Sequence, residues 1–310
     1  MIKRNVFLAL MAFGLIFTSC NDSDDKNDDN DSSKTKKITL SINGLEELGS
    51  DFVYEGWIIV GGKPVSTGTF TDVSSGQTFD VDEVKLDSAT NFVLSIEPAG
   101  ETGEDAATPS STKLVTGAFS GDSAKVSIAT VLDSVNVDSL TNVKGKFFLR
   151  SPTDEMAGAE NNGNDENGIW FGTPGDSLTA GLDLPALQAG WKYEGWVVLD
   201  STALSTGTFT AFDTADDNAG AETSFSGTEN AGPPIPGEDF FNNAPEGITF
   251  PLDIKGKTVV ISIEPSPDNS PAPFLLKPLK GTAGDETAPT TYDLTFDSAS
   301  FPSGTVTRKQ

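Results

Sequence analysis

The segment KKITLSI (36–42) sets apolar Ile38, Leu40 and Ile42 against polar Thr39 and Ser41, the two-residue period of a strand with one buried face. The following run, FVYEGWIIV (52–60), is apolar on both parities, as in a central strand covered on both sides. GGKP (61–64) supplies turn residues and VSTGTF (65–70) returns, so this stretch predicts a β-hairpin. Shorter runs follow at 77–81 (QTFDV), 91–97 (NFVLSIE), 113–119 (KLVTGAF) and 124–128 (AKVSI), separated by Gly, Asp and Ser. This spacing predicts a β-sandwich. No amphipathic helix of useful length is legible, only single helical turns at 45–48 (LEEL) and 184–187 (LPAL).

The pattern then repeats. YEGWIIVGGKPVSTGTFT (54–71) returns as YEGWVVLDSTALSTGTFT (193–210), 139 residues later, with ten of eighteen columns identical. Ser-Ile-Glu-Pro at 95–98 returns at 262–265, and KLVTG (113–117) aligns with KPLKG (277–281). At Ser-Ile-Glu-Pro the offset has grown to 167, which puts a 28-residue insertion in the second copy ahead of that strand. The expected architecture is all-β: two tandem Ig-like β-sandwich domains from an internal duplication, 36–142 and 143–310, with an inserted loop near 211–257. A two-copy array is too short for a solenoid, whose units close their cores only against neighbours.

Composition sharpens this picture. With 31 Gly, 18 Pro and only 3 Met, the chain reads as β-rich, and 310 residues suffice for two cores. A net charge of −26 argues against nucleic acid as a partner, because phosphate recognition needs clustered Lys and Arg. There is no His, which removes the commonest general base, Ser-His and Cys-His nucleophiles, and His-ligated metals. The single Cys, Cys20, follows a basic start (Lys3, Arg4), an apolar run VFLALMAFGLIF (6–17) and the small residues Thr18 and Ser19.

That arrangement describes a secretory signal peptide over 1–19. Its end resembles a bacterial lipobox, with Phe17 where an aliphatic residue is more usual. The resemblance implies a lipid on Cys20 as the attachment to the membrane. The acidic block NDSDDKNDDNDSS (21–33) cannot bury enough apolar surface to order itself, so 20–35 reads as a tether. It also resembles the acidic export signal of surface lipoproteins of Bacteroidota-type bacteria, which implies an outer-membrane lipoprotein exposed at the cell surface, with the periplasmic face as the alternative.

Candidate chemistry is sparse. Gly68 and Gly207 inside strands mark a bulge or close approach. Trp57 and Trp196 fit a sandwich core, with ligand stacking as the competing role. Glu55, Glu194, Glu97 and Glu264 raise the thought of a glycosidase pair, yet each recurs once per copy, as a structural contact would. A buried Glu asks for a cation or N–H partner, and Lys113 or Lys277 is available. SSTK (110–113) matches S-x-x-K without its companion motifs, and no G-x-S-x-G, P-loop or dinucleotide fingerprint is present. No catalytic residue and no cofactor are assigned. Calcium is the one metal to weigh, at ENNGNDENG (160–168) or DTADD (213–217), though neither keeps a calcium-loop spacing. In the insertion, Asp239, Phe240 and Phe241 are candidates for a partner-facing loop, the competing reading being a Pro-stiffened loop folded onto its own sheet.

The hairpin and the later Glu-Pro strand resemble the extracytoplasmic C-terminal domain of anti-sigma-K factors. The matching positions are Trp57, Gly68, Phe70, Glu97 and Pro98, then Trp196, Gly207, Phe209, Glu264 and Pro265. The resemblance implies the fold, and a sensing or protein-contact role outside the cytoplasm. Those regulators carry a sigma-binding region and a transmembrane helix ahead of the domain, where this sequence has a signal peptide and a lipid-anchor motif, so sigma-factor inhibition is not carried over. The expectation is a non-enzymatic envelope protein that binds an extracellular or periplasmic protein or glycan. The alternative is a glycan-binding accessory or carbohydrate-active lipoprotein.

Overall fold

The computed structural model describes residues 34–308 except 104, 111, 129–141, 157, 159–160, 188, 201 and 267–269. Cys20 and the acidic block lie outside the described residues, and Lys34–Gln310 forms one compact unit.

The first copy supplies seven strands: β1 (Thr35–Asn43), β2 (Phe52–Val60), β3 (Lys63–Phe70), β4 (Gln77–Asp82), β5 (Asn91–Pro98), β6 (Lys113–Ser120) and β7 (Ser123–Ile128). The second begins with β8 (Lys144–Leu149), β9 (Gly168–Trp170), a small hairpin of β10 (Gly172–Thr173) and β11 (Thr179–Ala180), and β12 (Leu182–Asp183). It continues through β13 (Trp191–Leu199), β14 (Thr202–Phe209), β15 (Gly237–Asp239), β16 (Thr258–Pro265), β17 (Leu279–Thr282) and β18 (Tyr292–Phe296). A last strand, β19 (Ser303–Arg308), ends the described chain. The protein is thus all-β, with two large antiparallel sheets.

The sheets run in parallel orders. The first is β3-β2-β5-β6-β7-β19-β1-β4, the second β14-β13-β16-β17-β18-β8-β9-β15. In each, the outer strands come back toward one another, β3 to β4 and β14 to β15, so the sheet wraps around its own apolar face. Tyr54, Ile58, Phe92, Leu94 and Ile96 share that inner face with Leu40 and Val306, and all are buried. Apolar residues of both sheets join one contiguous core.

Four elements depart from the sequence pattern. The segments 45–48 and 184–187 form no helical turn; each runs as irregular chain under a tyrosine, Tyr54 Oη donating to Glu46 O and Tyr193 Oη to Pro185 O, both at 2.7 Å. A short helix, α1 (Glu83–Ser88), appears after β4, its N-terminus capped by Asp82, whose Oδ1 accepts the Lys85 N–H at 2.9 Å. It buries Leu86. Finally, β19 leaves the second sheet and pairs with β1 and β7 of the first, with Leu40 opposite Val306. Its place in the first sheet is the one β8 holds in the second, so the sequence repeat and the sheet do not share an end.

Arg308 secures this return. Its Nη1 donates to Leu86 O at 2.7 Å and Asp87 O at 2.9 Å, at the end of α1, its Nη2 donates to Gly121 O at 2.8 Å, and its guanidinium lies 4.1 Å from the Phe119 ring centroid. A cation suits helix carbonyls left without an intrahelical donor.

Candidate functional site

The residues shared by the two copies meet on the outer faces of the sheets. Glu55 and Trp57 point away from the side taken by Tyr54 and Ile58, and Ser95 and Glu97 stand beside them on β5. The Trp57 indole Nε1 donates to Ser95 Oγ at 2.8 Å, and the Ser95 hydroxyl donates to Glu97. Glu97 also accepts the Ser110 N–H at 2.9 Å. The second copy repeats the chain: Trp196 Nε1 donates to Ser262 Oγ at 2.7 Å, Ser262 to Glu264, and the Phe274 N–H to Glu264 at 2.8 Å.

The Ser-Thr-Gly-Thr-Phe half of the motif builds the opposing strand. Ser66 donates to Glu55 while accepting the Gly68 N–H at 3.1 Å; Ser205 does the same for Glu194 and Gly207, at 3.0 Å from the amide. The register slips by one after Gly56 and after Gly195, leaving Thr67 and Thr206 as the extra residues of a β-bulge. Gly68 (φ +127°) and Gly207 (φ +109°) then take conformations that side-chain-bearing residues rarely adopt. Phe70 and Phe209 stack on Tyr54 and Tyr193, with centroids 5.4 and 6.1 Å apart.

The expected cation partners are not the ones used. Lys277 pairs with Glu46 at 3.2 Å, and the four repeated glutamates are held by serine hydroxyls and, for Glu97 and Glu264, backbone N–H groups. Short hydroxyl donors, on the neighbouring strand for Glu55 and Glu194 and on the same strand for Glu97 and Glu264, reach these carboxylates without bringing a long, entropically costly side chain into the sheet. Burial pushes the Glu55 carboxyl above the usual range, opposed by Ser66 and reinforced by Glu97 and Glu101. Trp57 and Trp196 are each 1 % exposed and offer no ring face to a ligand.

The insertion corrects another expectation. Asp239 and Phe240 are buried rather than partner-facing, and Phe241 is half-buried. Asp239 lies on β15 and accepts Thr153 N at 2.7 Å, Thr153 Oγ1 at 2.5 Å and the Trp170 indole at 2.9 Å. It thereby ties β15 to the turn Pro152–Asp154. Phe240 packs with Phe225 and Phe250, at centroid distances of 5.7 and 5.8 Å, where the insertion joins the contiguous apolar core. Such a ring triplet leaves water by closing on itself.

What the insertion does present is a cleft of about 930 Å³, whose wall includes Trp170, Ser224, Pro233, Glu238, Asn242 and Asn243. Glu238 accepts Ser224 Oγ at 2.9 Å and Ser226 Oγ, and is 1 % exposed. Burial raises its carboxyl to about 7, with Asp216 and Asp239 adding to the shift. Asp216 accepts the Gly237 N–H at 2.8 Å and the Asn218 N–H at 3.0 Å, and burial brings it to about 6. The sequence pattern does not single out Trp170, Glu238 or the serines of TSFSG (223–227), and it offers Asp216 only within the calcium candidate 213–217; two adjacent acids followed by aromatic residues in EDFF (238–241) are the available signal.

The loops weighed for calcium hold their carboxylates on protein groups. Asp165 lies 3.2 Å from the Arg150 guanidinium and accepts Asn161 Nδ2, and Asp217 pairs with Lys192 and Thr208, which lower its pKa. Among the described residues, no three acidic or Cys side chains are grouped to hold a metal ion, and no helix is long and apolar enough to cross a membrane.

A two-sheet β scaffold with a buried, repeated hydrogen-bond network and one elaborated insertion defines the class. The model of the family described as anti-sigma-K factor rskA, C-terminal, matches residues 30–113, from β1 to the first residue of β6. The first unit is therefore similar to the C-terminal domain of those regulators. The chain matches no curated protein and no solved structure.

Proposed function

We propose that this protein is a non-enzymatic binding and sensing module of the bacterial envelope, held to the membrane by a lipid on Cys20 and displayed at the cell surface by its acidic tether. Its recognition surface is the insertion cleft. One observation carries this reading: the polar groups that the copies share are buried and bonded to one another, whereas the cleft is lined mostly by the segment that the first copy lacks. Repetition maintains the scaffold, and the unshared loops are free to recognise a partner. The glycan alternative asked Trp57 and Trp196 for exposed stacking faces, and their burial withdraws that support.

The reading is tested by placing a photo-crosslinking residue at Asn242, on the cleft, and at Thr78, on exposed β4, in living cells. A discrete adduct from Asn242 alone supports recognition at the cleft; identical crosslinking from both positions, or none from either, removes it. Protease shaving of intact cells addresses location separately: the native chain should be cut, and a variant with the 22–31 acids neutralised should be protected.

A further inference from the structure

The two copies close their sheets with different chemistry. At the first seam, between β3 and β4, the Phe79 ring lies against Gly68, where a Cβ would sit 2.8 Å from it, and tilts onto Phe70 at 5.9 Å. At the second, the place beside Gly207 belongs to the Asp216 carboxylate, 2.5 Å from where a Cβ would be. The same carboxylate takes the Gly237 N–H of β15. Glu238 and Asp239 follow on the same strand, 1 % and 0 % exposed. Three carboxyl groups thus share one buried seam.

Their donors are hydroxyls, backbone N–H groups and an indole. The charged groups around them do not neutralise the cluster. Asp154 faces Asp239 from the turn after β8 and adds like charge. Arg150 is held by Glu155 and Asp165, Lys192 by Asp217, and Glu222 lines the neighbouring cleft.

We propose that the second seam is a pH-operated latch, closed while its carboxyl groups carry protons and loosened as they ionise. Ionisation places like charges on buried groups, and among the described residues no counter-ion offsets them. Burial holds Asp216 up at about 6 and both Glu238 and Asp239 up at about 7. Unfolded carboxyls ionise near pH ~4, so the folded seam binds more protons than the unfolded chain. Its stabilisation is complete below about pH 4, falls as pH rises, and is lost above about pH 7. Gly237, Glu238, Ser224 and Ser226 also line the cleft, so loosening the latch reshapes the proposed recognition surface.

Amide hydrogen exchange on the full chain at about pH 5 and about pH 8, corrected for the intrinsic pH dependence of exchange, reads the latch directly. Protection at 224–226 and 237–240 should drop about tenfold or more, while the first seam at 64–82 changes less than about twofold. The triple variant D216N/E238Q/D239N should flatten the response. If it does not fold, Glu238→Gln serves alone, since its amide oxygen still accepts from Ser224 and Ser226, and should cut the response by at least about threefold. Equal responses at both seams, or an undiminished response in the variant that folds, would overturn the proposal.

Discussion

The hydroxyl of Ser95 both receives the Trp57 indole and donates to Glu97, so removing it leaves the buried indole without its acceptor and the buried carboxylate with the Ser110 N–H in place of two donors. Ser95→Ala and Ser262→Ala should therefore each cost about 1–3 kcal/mol, measured by urea unfolding. Thr39→Ala, on the exposed side of β1, should stay within about 0.5 kcal/mol. Gly68→Ala meets two obstacles, a positive φ and the Phe79 ring, and should lose more than about 1 kcal/mol on the same assay. Sequence alone could pair Trp with Glu by parity, but not identify the serine between them. That serine sits on β5, and its position against Trp57 depends on pairing across strands distant in the chain.

At the level of elements, local signals and long-range ones separated cleanly. The hairpin, the strands at 91–97 and 113–119, and the glycine-marked bulge were legible because alternation and turn residues act within a few positions. The helix α1 was not, since six residues with one buried Leu leave no periodic trace, and its support comes from Arg308, more than 200 positions later. The insertion misled for a related reason. Two phenylalanines beside acids look like a contact surface until Phe225 and Phe250 arrive to enclose one of them. Arg308→Met keeps the apolar stem while removing the donors, and should cost about 1–3 kcal/mol. Exchange protection should fall first in α1 and β19, which a change confined to global stability would not single out.

For the whole molecule, a charge of −26 means that compaction works against self-repulsion, so added salt should raise the melting temperature. A flat or falling melting temperature between low and moderate salt would contradict this. Deleting residues 303–310 should harm the first sheet more than the second, because it bares the facing edges of β1 and β7. The checks are exchange protection in β1 and β7 and the appearance of aggregates, and a synthetic strand of the same sequence, added back, should restore the sheet. The placement of β19 also has a bearing on biosynthesis. A ribosome delivers β1 well before β19, so the earliest strands wait for a distant one before their sheet can close. A product cut short ahead of β19 then fails at β1, and the fold acts as its own check that synthesis has passed that strand.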